Sequence, residues 1–471
     1  MSALARLVFP ALRWRRRTGF GHERARIDET LKLGVGGYIV FGGNAAAVRA
    51  LTRDLAAASA HPLLIGSDLE RGAAQQFPDL THLPPPAALG FVNQLDVTAR
   101  CGAVTAAEAR SVGVNWVYAP VADLDIEPEN PIVQTRSFGD DPAAVSSHVA
   151  AWIGAAEASG VVTAAKHYPG HGRTAVDSHE ALPIVGAPQQ ELSATDLAPF
   201  RAAVRAGVGS VMTAHVAFPA WDATGRPATL SPAILSFLRG ELGFDGVIVS
   251  DALIMEGAVR GRGERGAVVE AVAAGVDALL YPRDLGGVAQ ALERAVGTAL
   301  TRGRADDAVA RIRRLAQRMA GHSARALGSD HAAFADATAD LAVHVLRGEQ
   351  MSLREPLEVT VVDDDVGGPY TVGPRDLFGS GLREAGIGIG AGGSRVVALY
   401  AEPRSSKGRA SLGSASLAAL TRLLPRASLV VLFGHPRLMS QIGGQTPITC
   451  AWHGQPLMQR AAARWVMGRL R

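Results

Sequence analysis

Only two cysteines occur in 471 residues, Cys101 and Cys450, and they lie far apart in the chain. That scarcity argues against a disulfide framework and a cysteine metal site, and it suits a reducing compartment. No apolar run reaches the length of a membrane span. Long blocks of one charge are missing too. The net charge is +3, and the one tight basic cluster, Arg13, Arg15, Arg16 and Arg17, reads as a solvated turn. Without a basic stripe interleaved with aromatics, neither nucleic acid nor a membrane surface is an expected partner. The apolar segment from Leu4 to Leu12 precedes these arginines, the reverse of signal-peptide order. The expectation is a soluble, cytoplasmic protein.

What is present is globular: 48% of residues are hydrophobic and 19% charged. The length exceeds one ordinary domain. Short β-rich runs alternate with stretches of helical period. The candidate strands are Leu7 to Pro10, Tyr38 to Phe41, Leu63 to Gly66, Asn115 to Ala119, Val161 to Ala165, Ser210 to Thr213, Val247 to Ser250 and Ala278 to Tyr281. Helical patterns separate them, among them Ala45 to Ala58, Ala143 to Ala158 and Pro232 to Leu242. Strands alternating with helices imply parallel pairing, and eight such units predict an α/β fold of the (β/α)8 TIM-like barrel type. The barrel is expected over residues 1–325 and a helical connector over 326–352. A smaller α/β sandwich domain is expected over 353–471, where strands resume at Glu358 to Val362, Arg395 to Tyr400, Leu429 to Phe433 and Pro447 to Ala451. Residues 304–347 read as helical throughout. The string Gly386-Ile387-Gly388-Ile389-Gly390 precedes a strand instead of opening a helix after one, so it reads as a loop and not as a dinucleotide site.

A barrel makes a demand on the sequence: functional residues must follow the strands, because active sites occupy the C-terminal face. Here they do. Asp68 follows the third strand, Asp123 and Arg136 lie after the fourth, and Lys166 and His167 close the fifth. His215 follows the sixth and Asp251 the seventh. The densest stretch is Lys166-His167-Tyr168-Pro169-Gly170-His171-Gly172, continuing to Asp177-Ser178-His179 and Pro183. Asp177 and His179 are two apart, so the carboxylate can orient the imidazole and stabilise its charged form, a good proton-transfer pair near neutral pH. The glycines at 170 and 172 suggest a mobile loop. Asp251, ending an apolar strand, reads either as a nucleophile on a rigid element or as the N-cap of the next helix. Asp68 can accept two neighbouring sugar hydroxyls, and Arg136 offers a five-donor fork. His167, His171 and His179 with Asp177 are a weaker metal set. No His-Glu-x-x-His element is present, and a Gly/Pro-rich loop is a poor rigid template. No metal and no other cofactor is expected.

Together these residues resemble the family 3 glycoside hydrolases, in particular their β-N-acetylglucosaminidase (NagZ-like) branch. The resemblance covers about residues 30–300. It includes Asn130-Pro131 with Arg136-Ser137-Phe138-Gly139, Val211-Met212-Thr213-Ala214-His215-Val216, and Gly243-Phe244-Asp245-Gly246-Val247-Ile248-Val249-Ser250-Asp251. It implies a retaining exo-β-N-acetylglucosaminidase acting on terminal N-acetylglucosamine, for example in muropeptide fragments during peptidoglycan recycling. Asp251 matches the nucleophile, His179 the acid/base and Asp177 its partner. Asp68, Arg136, Lys166 and His167 match positions that hold the sugar. One departure stands out: many members carry Arg five residues after the aspartate matching Asp68, and here that position is Ala73. The alternatives are a β-N-acetylglucosaminide phosphorylase, because a neutral base does not repel phosphate, a family 3 β-glucosidase, and a catalytically silent sugar-binding protein.

Overall fold

The computed structural model of the chain describes residues 3–178, 181–259, 261–320, 330–348, 351–365, 372–404 and 407–470. It divides into two compact units. One comprises Met1–Thr81, Leu95–Leu124 and Asp140–Gly328; the other comprises His82–Gln94, Asp125–Gly139 and Ser329–Arg471.

The first unit is built on nine short strands: β1 (Val8–Phe9), β2 (Ala11–Arg13), β3 (Gly37–Phe41), β4 (Leu64–Ser67), β5 (Trp116–Val117), β6 (Val162–Tyr168), β7 (Ser210–Thr213), β8 (Val247–Ala252) and β9 (Ala278–Leu280). They hydrogen-bond in the order β1-β9-β8-β7-β6-β5-β4-β3-β2, every pair parallel. β1 and β2 are two halves of one stave separated by Pro10, which has no N–H to give to a ladder. The ring therefore has eight staves and returns on itself, as the alternation of patterns predicts. Its strands are buried on both faces, so they read as continuous apolar runs. The helices between them start where the sequence supplies caps. Asn44, Asp141 and Ser231 each accept a hydrogen bond from the first turn of Ala45–Ala58, Pro142–Ala158 and Pro232–Gly240. Inside the barrel, Trp116 and Tyr118 pack edge to face at 5.2 Å. Gly66 must lack a side chain there, because a Cβ would stand 2.3 Å from the Tyr118 hydroxyl.

The second unit is built on β10 (His344–Arg347), β11 (Glu358–Asp363), β12 (Arg395–Ala401), β13 (Leu429–Gly434) and β14 (Ile448–Cys450), in the order β10-β14-β13-β12-β11. Only β10 is antiparallel to its neighbour. One sheet face carries Val397, Leu399, Val430, Leu432 and Ile448 against Leu412, Leu420 and Leu438. On the other, Tyr400 stacks on Phe433 at 4.5 Å and Phe378 joins them. Two features differ from the sequence reading. The stretch 304–347 is not helical throughout: after Arg302–Ala320 and His331–Ala342 it ends in β10. And the segments 82–94 and 125–139, read as barrel, cluster with the second unit. There, helix Pro86–Val92 lies so close to the 125–139 segment that a Cβ on Gly90 would meet the Phe138 carbonyl oxygen at 1.8 Å.

Candidate active site

The chemistry-bearing residues of the barrel stand at the C-terminal ends of its strands. β6 runs three residues further than the sequence suggests, so Lys166 and His167 belong to the strand and not to a loop after it. The β6–β7 register shifts between Ala165 and Tyr168, and the Lys166–His167 peptide is cis. β8 likewise extends through Asp251, with a register shift against β9 between Val249 and Ala252. Such register shifts re-aim side chains next to functional sites. As a strand residue five positions before the next helix, Glu256–Val259, Asp251 is not that helix's N-cap.

Lys166 is 2% exposed and its Nζ lies 2.8 Å from Asp68 Oδ1 and 2.6 Å from Glu70 Oε1. One cation between two carboxylates leaves the trio with a net negative charge and fixes all three positions. Asp68, the first residue after β4, keeps 25% side-chain exposure and so retains capacity to accept from a ligand. Glu70 is a residue that the sequence reading missed. Its signal was the Asp-x-Glu spacing, together with the rarity of its partner's type: only three of the 47 Lys and Arg residues are lysine.

Next to this trio, fully buried Asp123 accepts from the His167 ring at Nδ1 (2.7 Å) and from the backbone N–H groups of His167 (3.1 Å) and His171 (2.7 Å). A carboxylate accepts only, so Nδ1 of His167 carries the proton and Nε2 is the acceptor nitrogen of the ring. Burial alone would raise the Asp123 pKa, but the charges and hydrogen bonds of His167 and His171 hold it below the usual range. His171 is itself buried, with Nδ1 2.7 Å from the Thr174 hydroxyl and Nε2 3.0 Å from that of Ser178. Burial pushes its imidazole down to about 4. A neutral imidazole gives one hydrogen and accepts one, and two hydroxyls can serve both needs.

The loop that these contacts belong to is packed, not loose: His171, Thr174, Asp177 and Ser178 are all at most 2% exposed. Gly172 is needed for closeness, since a Cβ would stand 1.8 Å from the Leu124 carbonyl oxygen, and Gly170 for its φ of 140°. Asp177 is buried in this loop. His179, the expected proton-transfer group, lies outside the described residues. His215 is buried between the ends of β7 and β8, with Nδ1 2.8 Å from the Thr229 hydroxyl and Nε2 3.1 Å from the Ala252 carbonyl. The Asp251 Oδ1 accepts from the N–H of Ala252 at 2.7 Å, and its charge reaches His171 and Tyr281.

Arg136 belongs to the second unit. It ends the turn Gln134–Arg136, half-buried, with Nη1 3.1 Å from the Ile132 carbonyl. This segment is tied down by Arg437, which donates to the carbonyls of Glu127 (3.1 Å) and Pro128 (3.0 Å) and to the Asp125 carboxylate. His435 Nε2 lies 3.0 Å from the same carboxylate. Among the described residues, no group of three or more His, Cys, Asp or Glu is arranged to hold a metal ion. Nor is any helix among them long and apolar enough to cross a membrane.

Comparisons with known proteins agree with this architecture. A beta-N-acetylglucosaminidase/beta-glucosidase of Cellulomonas fimi is 35% identical over 266 residues, 54% of this chain but only 47% of the relative. A beta-hexosaminidase of Thiobacillus denitrificans is 39% identical over 267 residues, 54% of this chain and 72% of the relative. The solved structure of a glycoside hydrolase family 3 beta-N-acetylglucosaminidase from Paenibacillus sp. superposes with a TM-score of 0.88 at 27% identity, over 100% of this chain and 96% of that one. The family model described as the glycosyl hydrolase family 3 N terminal domain matches residues 16–315, most of the chain, and the protein therefore belongs to glycosyl hydrolase family 3.

Proposed function

We propose that this glycoside hydrolase is a retaining exo-β-N-acetylglucosaminidase. The observation that carries the reading is the arrangement on the barrel rim. Opposite staves β4 and β8 present Asp68 and Asp251, and the stave between them presents Lys166 and His167. A pyranose lying from Asp251 to Asp68 meets an anionic nucleophile at one end and hydroxyl acceptors at the other. The names of the relatives support N-acetylglucosamine as the sugar.

In this reading Asp251 attacks the anomeric carbon as the bond to the leaving oxygen breaks, forming a glycosyl-enzyme. His179, protonated and held by Asp177, gives its proton to that oxygen. As a neutral base it then takes a proton from the water that releases the sugar. Asp68, Arg136, Lys166 and His167 bind the ring. Asp123 serves His167 by fixing its tautomer. A muropeptide fragment fits as natural substrate, and a cytoplasmic location suits the two buried free thiols, Cys101 and Cys450.

The test is turnover of aryl β-N-acetylglucosaminide against aryl β-glucoside, each with and without phosphate, in wild type and Asp251→Ala. The expected result is N-acetyl preference, free sugar as product, and a loss on the order of 10⁴-fold in Asp251→Ala. Sugar 1-phosphate as product makes the enzyme a phosphorylase, and preference for the glucoside makes it a β-glucosidase. Near-wild-type activity in the variant removes Asp251 from its role.

A further inference from the structure

Tyr281 is the first residue after β9, and its neighbour Leu280 pairs in register with Ala252, next to Asp251. In the ring of staves, β5, β6 and β7 lie on one side of the line from β4 to β8, and β9, β1/β2 and β3 on the other. Lys166 and His167 occupy the first side, and Tyr281 stands on the second. Its backbone adopts φ 61°, a left-handed conformation that bulky residues rarely take and that points to a held position. Two contacts hold it: its N–H donates to the Phe9 carbonyl at 3.1 Å, and its ring lies 5.6 Å from that of Phe41, itself covered by the Arg13 guanidinium at 4.5 Å. The side chain is half-buried, and no protein group among the described residues hydrogen-bonds its hydroxyl. Packing against Phe41 needs only the ring, so a phenylalanine would serve that purpose equally.

We propose that Tyr281 is a sugar-contacting residue: its ring walls the edge of the bound glycosyl unit opposite Lys166 and His167, and its hydroxyl hydrogen-bonds the sugar between Asp68 and Asp251. The proposal rests on the glycosidase reading of this site and adds a specificity residue to it. Burial first, then the negative charges of Asp68 and Asp251, hold the phenol protonated well above its ordinary range, so it is a donor at every working pH.

Tyr281→Phe isolates the hydroxyl. Steady-state kinetics on 4-nitrophenyl β-N-acetylglucosaminide and 4-nitrophenyl β-glucoside are measured with melting temperature for wild type, Tyr281→Phe and Tyr281→Ala. Loss of one hydrogen bond predicts a fall in kcat/KM of about tenfold in Tyr281→Phe at unchanged melting temperature. A larger fall is expected in Tyr281→Ala, which also loses the wall. If the wild type prefers the glucoside, the N-acetyl reading fails while a tenfold loss on that substrate still supports Tyr281. If the wild type behaves as an N-acetylglucosaminidase and Tyr281→Phe stays within about twofold of it, the proposal is wrong and the activity reading stands. Should the wild type turn over neither, calorimetric titration with N-acetylglucosamine decides in the same way: equal affinity in wild type and Tyr281→Phe overturns the contact.

Discussion

His171 and Asp123 have no direct task in the proposed chemistry, yet both bear on the stability of the protein in acid. The folded-state pKa of His171 lies near 4, below the ordinary value of 6.5. A group depressed in this way contributes stability that is complete above pH 6.5. That contribution is lost as pH falls towards 4, because only the unfolded chain takes up the proton. The slope is about 1.4 kcal/mol per pH unit in that window. Asp123, also depressed, adds a further loss only below its ordinary 3.8. Melting temperature should therefore fall steadily from pH 6.5 to 4, and His171→Gln should flatten that fall. An unchanged slope in the variant would remove His171 as the cause. At this scale the sequence was informative where a motif concentrated polar residues at the end of a strand, as at Lys166, His167 and Asp251. It offered only the Asp-x-Glu spacing at Glu70 and was silent on Tyr281, whose partners come from other staves and whose neighbours in the chain are ordinary.

The strands were legible because buried parallel strands are continuous apolar runs bounded by polar rims. The ends of β6 and β8 were not, since the strands carry on through the polar residues that look like their stops. β10 escaped notice for a different reason. It is a four-residue edge strand, half-exposed at every position, one residue after an alanine-rich helix, and so has no periodicity to show. The 169–178 loop looked mobile because it holds glycines, but Gly172 serves close packing and Gly170 a positive φ. That difference is measurable. In Gly172→Ala the new methyl meets the Leu124 backbone, which cannot move as a side-chain tip can, and a destabilisation of about 2–3 kcal/mol is expected in urea unfolding. Gly186→Ala, with open space around it and no positive φ, should stay within about 0.5 kcal/mol. Equal effects in the two variants would mean that the loop yields, and that its packing is looser than the distances imply.

For the molecule as a whole, the number and order of the units could be read from changes in pattern, but not the membership of segments 82–94 and 125–139. Their partners are some three hundred residues away, and no local signal reports such pairings. Arg437 makes this concrete. Its fork takes the carbonyls of Glu127 and Pro128 and the Asp125 carboxylate, which burial would raise but which His435 and Arg437 hold low. A single side chain after β13 thus orders the segment that carries Arg136. Removing it takes the guanidinium away from the buried Asp125 carboxylate, at a cost on the order of 3 kcal/mol. Arg437→Ala should speed amide hydrogen exchange across 125–139. If Arg136 binds the sugar as proposed, KM for the aryl N-acetylglucosaminide should rise several-fold with a smaller change in kcat. Arg437→Lys keeps the charge but not the fork, and should fall between the two. Faster exchange with unchanged KM would separate the two claims: the segment would be held by Arg437, and Arg136 would not be part of substrate binding.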